Sequence, residues 1–315
     1  MPIQTDTLDR LPPGSRVVVI RLRSLGDCVL STPAIHLLKE ARPDLSIAVV
    51  AEERFAGVFE GNAEIDQVLA PSIRDVRRFN PALVLNLHGG TRSARITALS
   101  GAEYRAGFDI FRPGWIYNVR IPTAQQVLGI DRRVHTAEHA AAAVFYLGVP
   151  MQDVPRAHVE ALPGRSPYAP LRPYAVIHPF AATPEKTWPA ARFLELARYL
   201  DRQCHLQPVF TGGPGDDPGP FAEWPAVSGA PIREIARLLR GATFFAGNDS
   251  GPAHLAAAFA VPQLIFFGPS DSGVWSPWQT QAEVLRAGGP IANITLEAAL
   301  AALEHLHIRA GVATS

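Results

Sequence analysis

RVVVIRLRSLGDCVLSTPAIHLLKEARP, residues 16–43, opens on a β-branched run and closes on a helical pattern stopped by Pro43. Residues 16–21 follow Pro12-Pro13-Gly14 and fit a buried strand, since an unbroken apolar run suits a strand covered on both faces. The helical periodicity runs over 29–41, after the polar turn SLGD. Strand, polar loop and helix in that order point to a parallel α/β sheet.

Outward from this segment the alternation continues. Residues 46–51 and 83–87 read as strands, and 137–147 as a helix ending at Gly148. Residues 149–172 hold five of the 29 prolines and little periodicity, which marks a domain boundary. Beyond it the pattern restarts, with strands over 174–178, 206–210, 243–246 and 264–267. Helices are predicted over 190–200, 232–239, 252–260 and 296–306. The two halves rhyme. The expectation is two doubly wound domains, 1–165 and 166–315, facing one another across a cleft, with ligands at the carboxyl ends of the strands. The C-terminal helix has the option of packing back on the first domain.

The chain has 315 residues, with 29 basic and 29 acidic side chains. At 47% hydrophobic and 18% charged it is a folding sequence. A net charge of zero argues against a general nucleic-acid binder. Within residues 67–134, however, ten arginines face four acids, a local +6. That stretch suits an anionic partner, or else is a solvated face, and it has few of the aromatics that single-stranded nucleic acid would need. Two cysteines make no disulfide framework, which favours a reducing compartment. The N-terminal residues lack the apolar core of a signal peptide, and no apolar run nears the ~18 residues of a membrane span. A cytoplasmic protein is expected, with peripheral contact at the inner membrane face left open. Only Lys39 and Lys186 are lysines, and a lysine that survives in so arginine-rich a chain gains interest.

Familiar nucleotide signatures are missing. There is no P-loop, and RLRSLGD stands where a dinucleotide fold would carry its glycine fingerprint, which disfavours an oxidoreductase. No histidine spacing suits a metal; His135 and His139 are one turn apart but lack a third ligand. The strongest site candidate is GNDSGPAHLAAA, residues 247–258. Asp249 or Ser250 can cap a helix there and Pro252 suits its first turn. The free N–H groups and the dipole of such an end attract an anion, Gly251 permits close approach, and His254 lies in the first turn. An ordinary capped helix packed through its alanines fits equally well. Lys186 sits between a strand and a helix in HPFAATPEKTWPAARF, residues 178–193, where it can act as a point charge on phosphate. Asp27 is either a helix cap or a general base at the strand end, with Arg21 and Arg23 close enough to favour its charged form. Cys28 has no His/Asn pair and reads as packing.

Together these segments, with LNLHGGTRSARITALSGAEYRAGFD and FFAGNDSGPAHLAAAFAVPQLIFFGPS, resemble the family 9 glycosyltransferases, the ADP-heptose:lipopolysaccharide heptosyltransferases, over residues 16–275. The resemblance implies a GT-B fold of two Rossmann-like domains, acceptor in the first and nucleotide sugar in the second. It implies inverting transfer of heptose from ADP-heptose to an acceptor hydroxyl, with no metal and no other cofactor. Asp27 then looks like the catalytic base, with Ser24 and Gly26 of the same motif, Arg92 and Arg95 on the acceptor side. Lys186, Thr183 and Thr187 look like ligands of the donor diphosphate, alongside Asp249, Ser250, Gly251, Pro252 and His254. Gly212 and Gly213 are assigned to the donor site, and Asp216 or Asp217 stands for a ribose ligand. The partners implied are the nucleotide sugar and an anionic glycolipid, the lipopolysaccharide inner core, or another glycan. Another donor, a secondary-metabolite or protein acceptor, and a non-catalytic nucleotide-sugar binder are the alternatives.

Overall fold

Val17–Ile20 are buried on both faces, as a central parallel strand must be. In the computed structural model, which describes residues 3–308, the chain divides into two compact units between Glu160 and Ala161, inside the proline-rich stretch. Each holds a six-stranded parallel sheet.

The strands of the first unit are β1 (Arg16–Ile20), β2 (Ser46–Val50), β3 (Gln67–Leu69), β4 (Leu83–Asn86), β5 (Tyr104–Phe108) and β6 (Val119–Ile121). Its helices are α1 (Leu25–Ala41), α2 (Glu53–Ala56), α3 (Ile73–Phe79), α4 (Thr91–Ala98), α5 (Ala124–Leu128) and α6 (Thr136–Leu147). The second unit has β7 (Tyr174–His178), β8 (Gln207–Gly212), β9 (Ala226–Ser228), β10 (Phe244–Asn248), β11 (Gln263–Phe267) and β12 (Ala282–Arg286). Its helices are α7 (Ala190–Arg202), α8 (Ile232–Arg240), α9 (Gly251–Ala258), α10 (Ser272–Trp275) and α11 (Leu296–His305).

The spatial orders are β3-β2-β1-β4-β5-β6 and β12-β11-β10-β7-β8-β9. Numbered from its own first strand, each sheet runs 3-2-1-4-5-6, the doubly wound order. The chain reverses its direction of travel at β1/β4 and at β7/β10, and a crevice opens there at the strands' carboxyl ends.

Helix α1 begins at Leu25, four residues before the predicted start. Ser24 is its cap, and the Asp27 carboxylate accepts from the Ser24 backbone N–H at 3.3 Å. The loop SLGD is thus the first turn of the helix, and Asp27 lies within that turn. Pro33 sits inside α1 and cannot donate to the Val29 carbonyl. The Thr32 hydroxyl does so instead, at 2.8 Å.

The second unit's core is aromatic. Trp188 is fully buried, stacks on Phe266 at 3.9 Å and meets Phe193 edge-on at 5.0 Å. Helix α11 buries Ala299, Ala302 and Leu303 in this same core. Its apolar stripe matches the sheet and α7 beside it.

Two histidines, buried His178 and half-buried His139, make the fold sensitive to acid. His139 on α6 stacks on Phe108 at 4.0 Å, and burial, helped by the charge of Arg21, pushes it down to about 4. Burial likewise pushes His178 down to about 4, against the pull of the Thr211 carbonyl. Both stay neutral in the folded chain while the unfolded chain takes up protons below about pH 6.5. Stability therefore falls as pH drops from about 6.5 to 4, by at most about 3 kcal/mol per histidine. His139→Phe is expected to flatten this dependence. Thermal melts at pH 7.5, 6 and 4.5 check it, and parallel curves for variant and parent would refute it.

Candidate active site

The first unit gathers polar groups where β1 and β4 part. Arg21 directly follows β1, with 15% of its side chain exposed. Its guanidinium donates to the Leu87 carbonyl beyond β4 and to the Asp27 carboxylate. Burial lowers Arg21 to about 10, so it stays charged at neutral pH. The other Asp27 oxygen accepts from the Ser24 hydroxyl at 3.0 Å. The Asp27 side chain keeps 19% of its surface exposed, enough for an oxygen to meet a ligand. Of the two arginines flagged in the sequence, Arg21 is the one paired with Asp27. Gly26 is buried in the same turn and Ser24 is exposed. Cys28 is buried and burial pushes its thiol up to about 12, which leaves no thiolate for nucleophilic chemistry.

Beside them, half-buried His88 follows β4. Burial, then the charges of Arg21 and Arg23, lowers it, against the opposing pull of Glu52 and the Arg23 backbone. Sequence reasoning passed over this residue because a lone histidine in a loop carries no spacing. Arg92 in the first turn of α4 and Arg95 in its last turn line a cavity of about 450 Å³ with Pro71, Ile73, Thr91 and Ile96. Glu52 lies 3.8 Å from Arg92.

In the second unit the loops after β7 and β10 meet. Lys186 donates to Asp249 at 3.2 Å, with side-chain exposures of 33% and 8%. Asp249 is thereby an ion-pair partner. Ser250 takes the cap position of α9, yet neither side chain caps the helix. The hydroxyls of Thr183 and Ser250 are buried without a protein hydrogen-bond partner. Thr187 instead spends its hydroxyl on the Thr183 carbonyl at 3.0 Å. Gly251 and Pro252 form the first turn of α9, and His254 is buried behind them, 6.4 Å from Trp275. Gly212 and Gly213 close β8. Asp216 accepts from Gly213 N–H at 2.7 Å and Asp217 from Gly219 N–H at 2.9 Å, so both acids brace their own turn.

Two further residues position Lys186. Asn248, fully buried at the end of β10, accepts from Trp188 N–H and donates to the Pro179 carbonyl, each at 2.9 Å. It clamps both ends of the lysine loop. Gly268, after β11, lies against the Glu185 carbonyl so closely that no side chain fits. Asn248 was legible only as a letter of the 247–258 motif, and Gly268 answers a contact distant in sequence.

The glycosyltransferase family 9 (heptosyltransferase) profile matches residues 72–297. The chain belongs to that family. Lipopolysaccharide heptosyltransferase 1 of Salmonella typhimurium is 24% identical over 294 residues, covering 82% of this chain and 90% of its own length. A family 9 glycosyltransferase from Veillonella parvula superposes with a TM-score of 0.78 at 24% identity, over 94% of this chain and 98% of that one. The Escherichia coli heptosyltransferase WaaC, solved with ADP, gives 0.74 at 22%, over 92% and 99%. The family 9 chain thus has the two-domain α/β fold of the GT-B class.

Among the described residues no three His, Cys, Asp or Glu side chains cluster as a metal site. The fold is nevertheless shared with TibC of enterotoxigenic E. coli H10407, an iron-containing dodecamer, at a TM-score of 0.58 and 17% identity over 93% of this chain and 78% of that one. No helix among the described residues is long and apolar enough to cross a membrane.

Asn248→Ala leaves Trp188 N–H and the Pro179 carbonyl unpaired in the interior. It is expected to cost roughly 2–6 kcal/mol, from ~1–3 kcal/mol for each of the two orphaned groups. Urea denaturation followed by tryptophan fluorescence measures this, and a loss under about 0.5 kcal/mol would show that the clamp is dispensable.

Proposed function

We propose that this family 9 chain moves heptose from ADP-heptose to a hydroxyl of the lipopolysaccharide inner core, inverting the anomeric centre without a metal. The observation that carries the reading is the Asp27 carboxylate, pinned beyond the end of β1 by Arg21 and by Ser24. The names of its relatives and the ADP in WaaC support the donor and the acceptor.

The first unit, residues 1–165 with its linker, binds the acceptor, and the second, 166–315, binds the nucleotide sugar. Asp27 takes the proton of the attacking hydroxyl as that oxygen bonds to the anomeric carbon. The glycosidic bond to phosphate breaks and its electron pair leaves with ADP. Charge grows on the departing diphosphate. Lys186 and the first N–H groups of α9 answer that charge where a metal would otherwise be needed. The Thr183 and Ser250 hydroxyls, together with Gly251, supply further phosphate contacts. Lys186 would exchange part of its bond to Asp249 for phosphate oxygen. Arg92 and Arg95 hold anionic groups of the acceptor. Enzyme and donor are cytoplasmic, and the acceptor is presented at the inner membrane face.

Asp27→Asn should lower turnover by 10²–10⁴-fold or more and leave ADP binding intact; unchanged turnover removes Asp27 as the base. Lys186→Ala should weaken ADP-heptose binding at least tenfold, read by titration calorimetry, and an unaltered dissociation constant removes it from the site. Converting Arg92 and Arg95 to Gln should raise the acceptor KM alone. A thermal-shift panel of ADP-, UDP-, GDP- and dTDP-sugars tests the donor, since only a ligand of the folded state raises the melting temperature. A preference for UDP-sugars would overturn the assignment.

A further inference from the structure

We propose that the loop of residues 109–115 seats the first unit on an anionic phospholipid surface. The inference deepens the reading above, because it takes the acceptor to be carried by a membrane.

The loop follows β5, so it leaves the sheet at the same edge as Asp27 after β1 and Arg92 after β4. Its inward residues are built into that edge. Phe111 lies flat against Gly89, whose φ of +74° and missing side chain make the room. Phe111 also meets Phe108 edge-on at 5.7 Å. Ile116 and Tyr117 are buried beneath, and the Tyr117 hydroxyl accepts from Asn86 at 2.9 Å. The outward residues have no such support. Trp115 is 82% exposed and Ile110 63% exposed.

Two large apolar side chains held in water by a well-anchored loop mark an interaction surface. Their neighbours say which kind. Asp109 is the one acid in residues 109–120, and Arg120 neutralises it. Arg112 is exposed and donates to the Asp109 and Phe111 carbonyls, which holds its charge at the loop. With Arg120 of β6 beside it, the segment 109–120 carries two arginines against one acid, a net +1 within the stretch of local +6. Tryptophan favours the headgroup boundary of a bilayer, isoleucine its hydrocarbon, and arginine its phosphates. A sugar surface would use the indole but has no use for exposed Ile110. Two side chains and one or two cations give a weak, reversible seat rather than an anchor.

The test uses the full chain without donor or acceptor. Sedimentation with phosphatidylglycerol vesicles should show binding that falls with salt, and phosphatidylcholine vesicles should bind far less. Ile110→Ala with Trp115→Ala should lower partitioning roughly tenfold or more, and Arg112→Gln should reduce its dependence on salt. Both variants alter exposed side chains and should keep the parent's melting temperature, ADP binding and turnover on a lipid-free core oligosaccharide. Vesicle binding equal to the parent's, or no binding by the parent, overturns the proposal. So does a matching loss of turnover on the lipid-free acceptor, which would make Trp115 a sugar contact. Failure of the transferase reading would appear separately, as absent turnover beside intact vesicle binding.

Discussion

Two polar side chains span the places where adjacent strands diverge, and both candidate sites are organised around them. In the first unit Arg21 reaches from β1 to the carbonyl of Leu87. In the second Asn248 reaches from β10 to that of Pro179. A doubly wound sheet leaves backbone carbonyls at these divergences without a neighbouring strand, and an unpaired buried carbonyl is costly. Each bridge satisfies such a carbonyl and uses its remaining bonds to orient the adjoining loop. Arg21 thereby fixes Asp27, and Asn248 fixes the approach to Lys186 through Trp188.

The surroundings sharpen the first of these arrangements. Cys28 is pushed up to about 12 and His139 down to about 4, so both are neutral at physiological pH. Arg21, itself lowered only to about 10, remains a cation among them. The low dielectric that makes this charge costly also makes its interaction with Asp27 strong. In the second unit the cation is less buried and has an acid at hand in Asp249. That is the better arrangement for a group that must release one partner to take another.

The parts of this architecture that could be read from the sequence are those whose physics is local. The buried runs at 17–20 and 174–178 needed no context, and the strand-loop-helix order placed Asp27 and Lys186 at strand ends. Short strands escaped. β3, β6 and β9 have three residues each and lie at or near the sheet edges, half open to solvent, so neither hydrophobic run nor alternation announces them. Helix α1 was read too short because SLGD looks like a loop until the Asp27 carboxylate is seen to close on Ser24. The capping role given to Asp249 failed for a similar reason, since its lysine partner arrives from a different strand. Gly268 carries no local mark at all; its need for a bare backbone is set by the Glu185 carbonyl.

Each unit is one uninterrupted stretch of chain, and α11 contributes to the core of the second. Synthesis proceeds from the N-terminus, so β1 to β6 and their helices are all made before residue 161 emerges. The first unit can close its sheet, and pair Arg21 with Asp27, while the ribosome is still translating the strands that carry Lys186. The slow pairing of parallel strands is thus split into two shorter searches, one for each six-stranded sheet and each confined to its own half of the message.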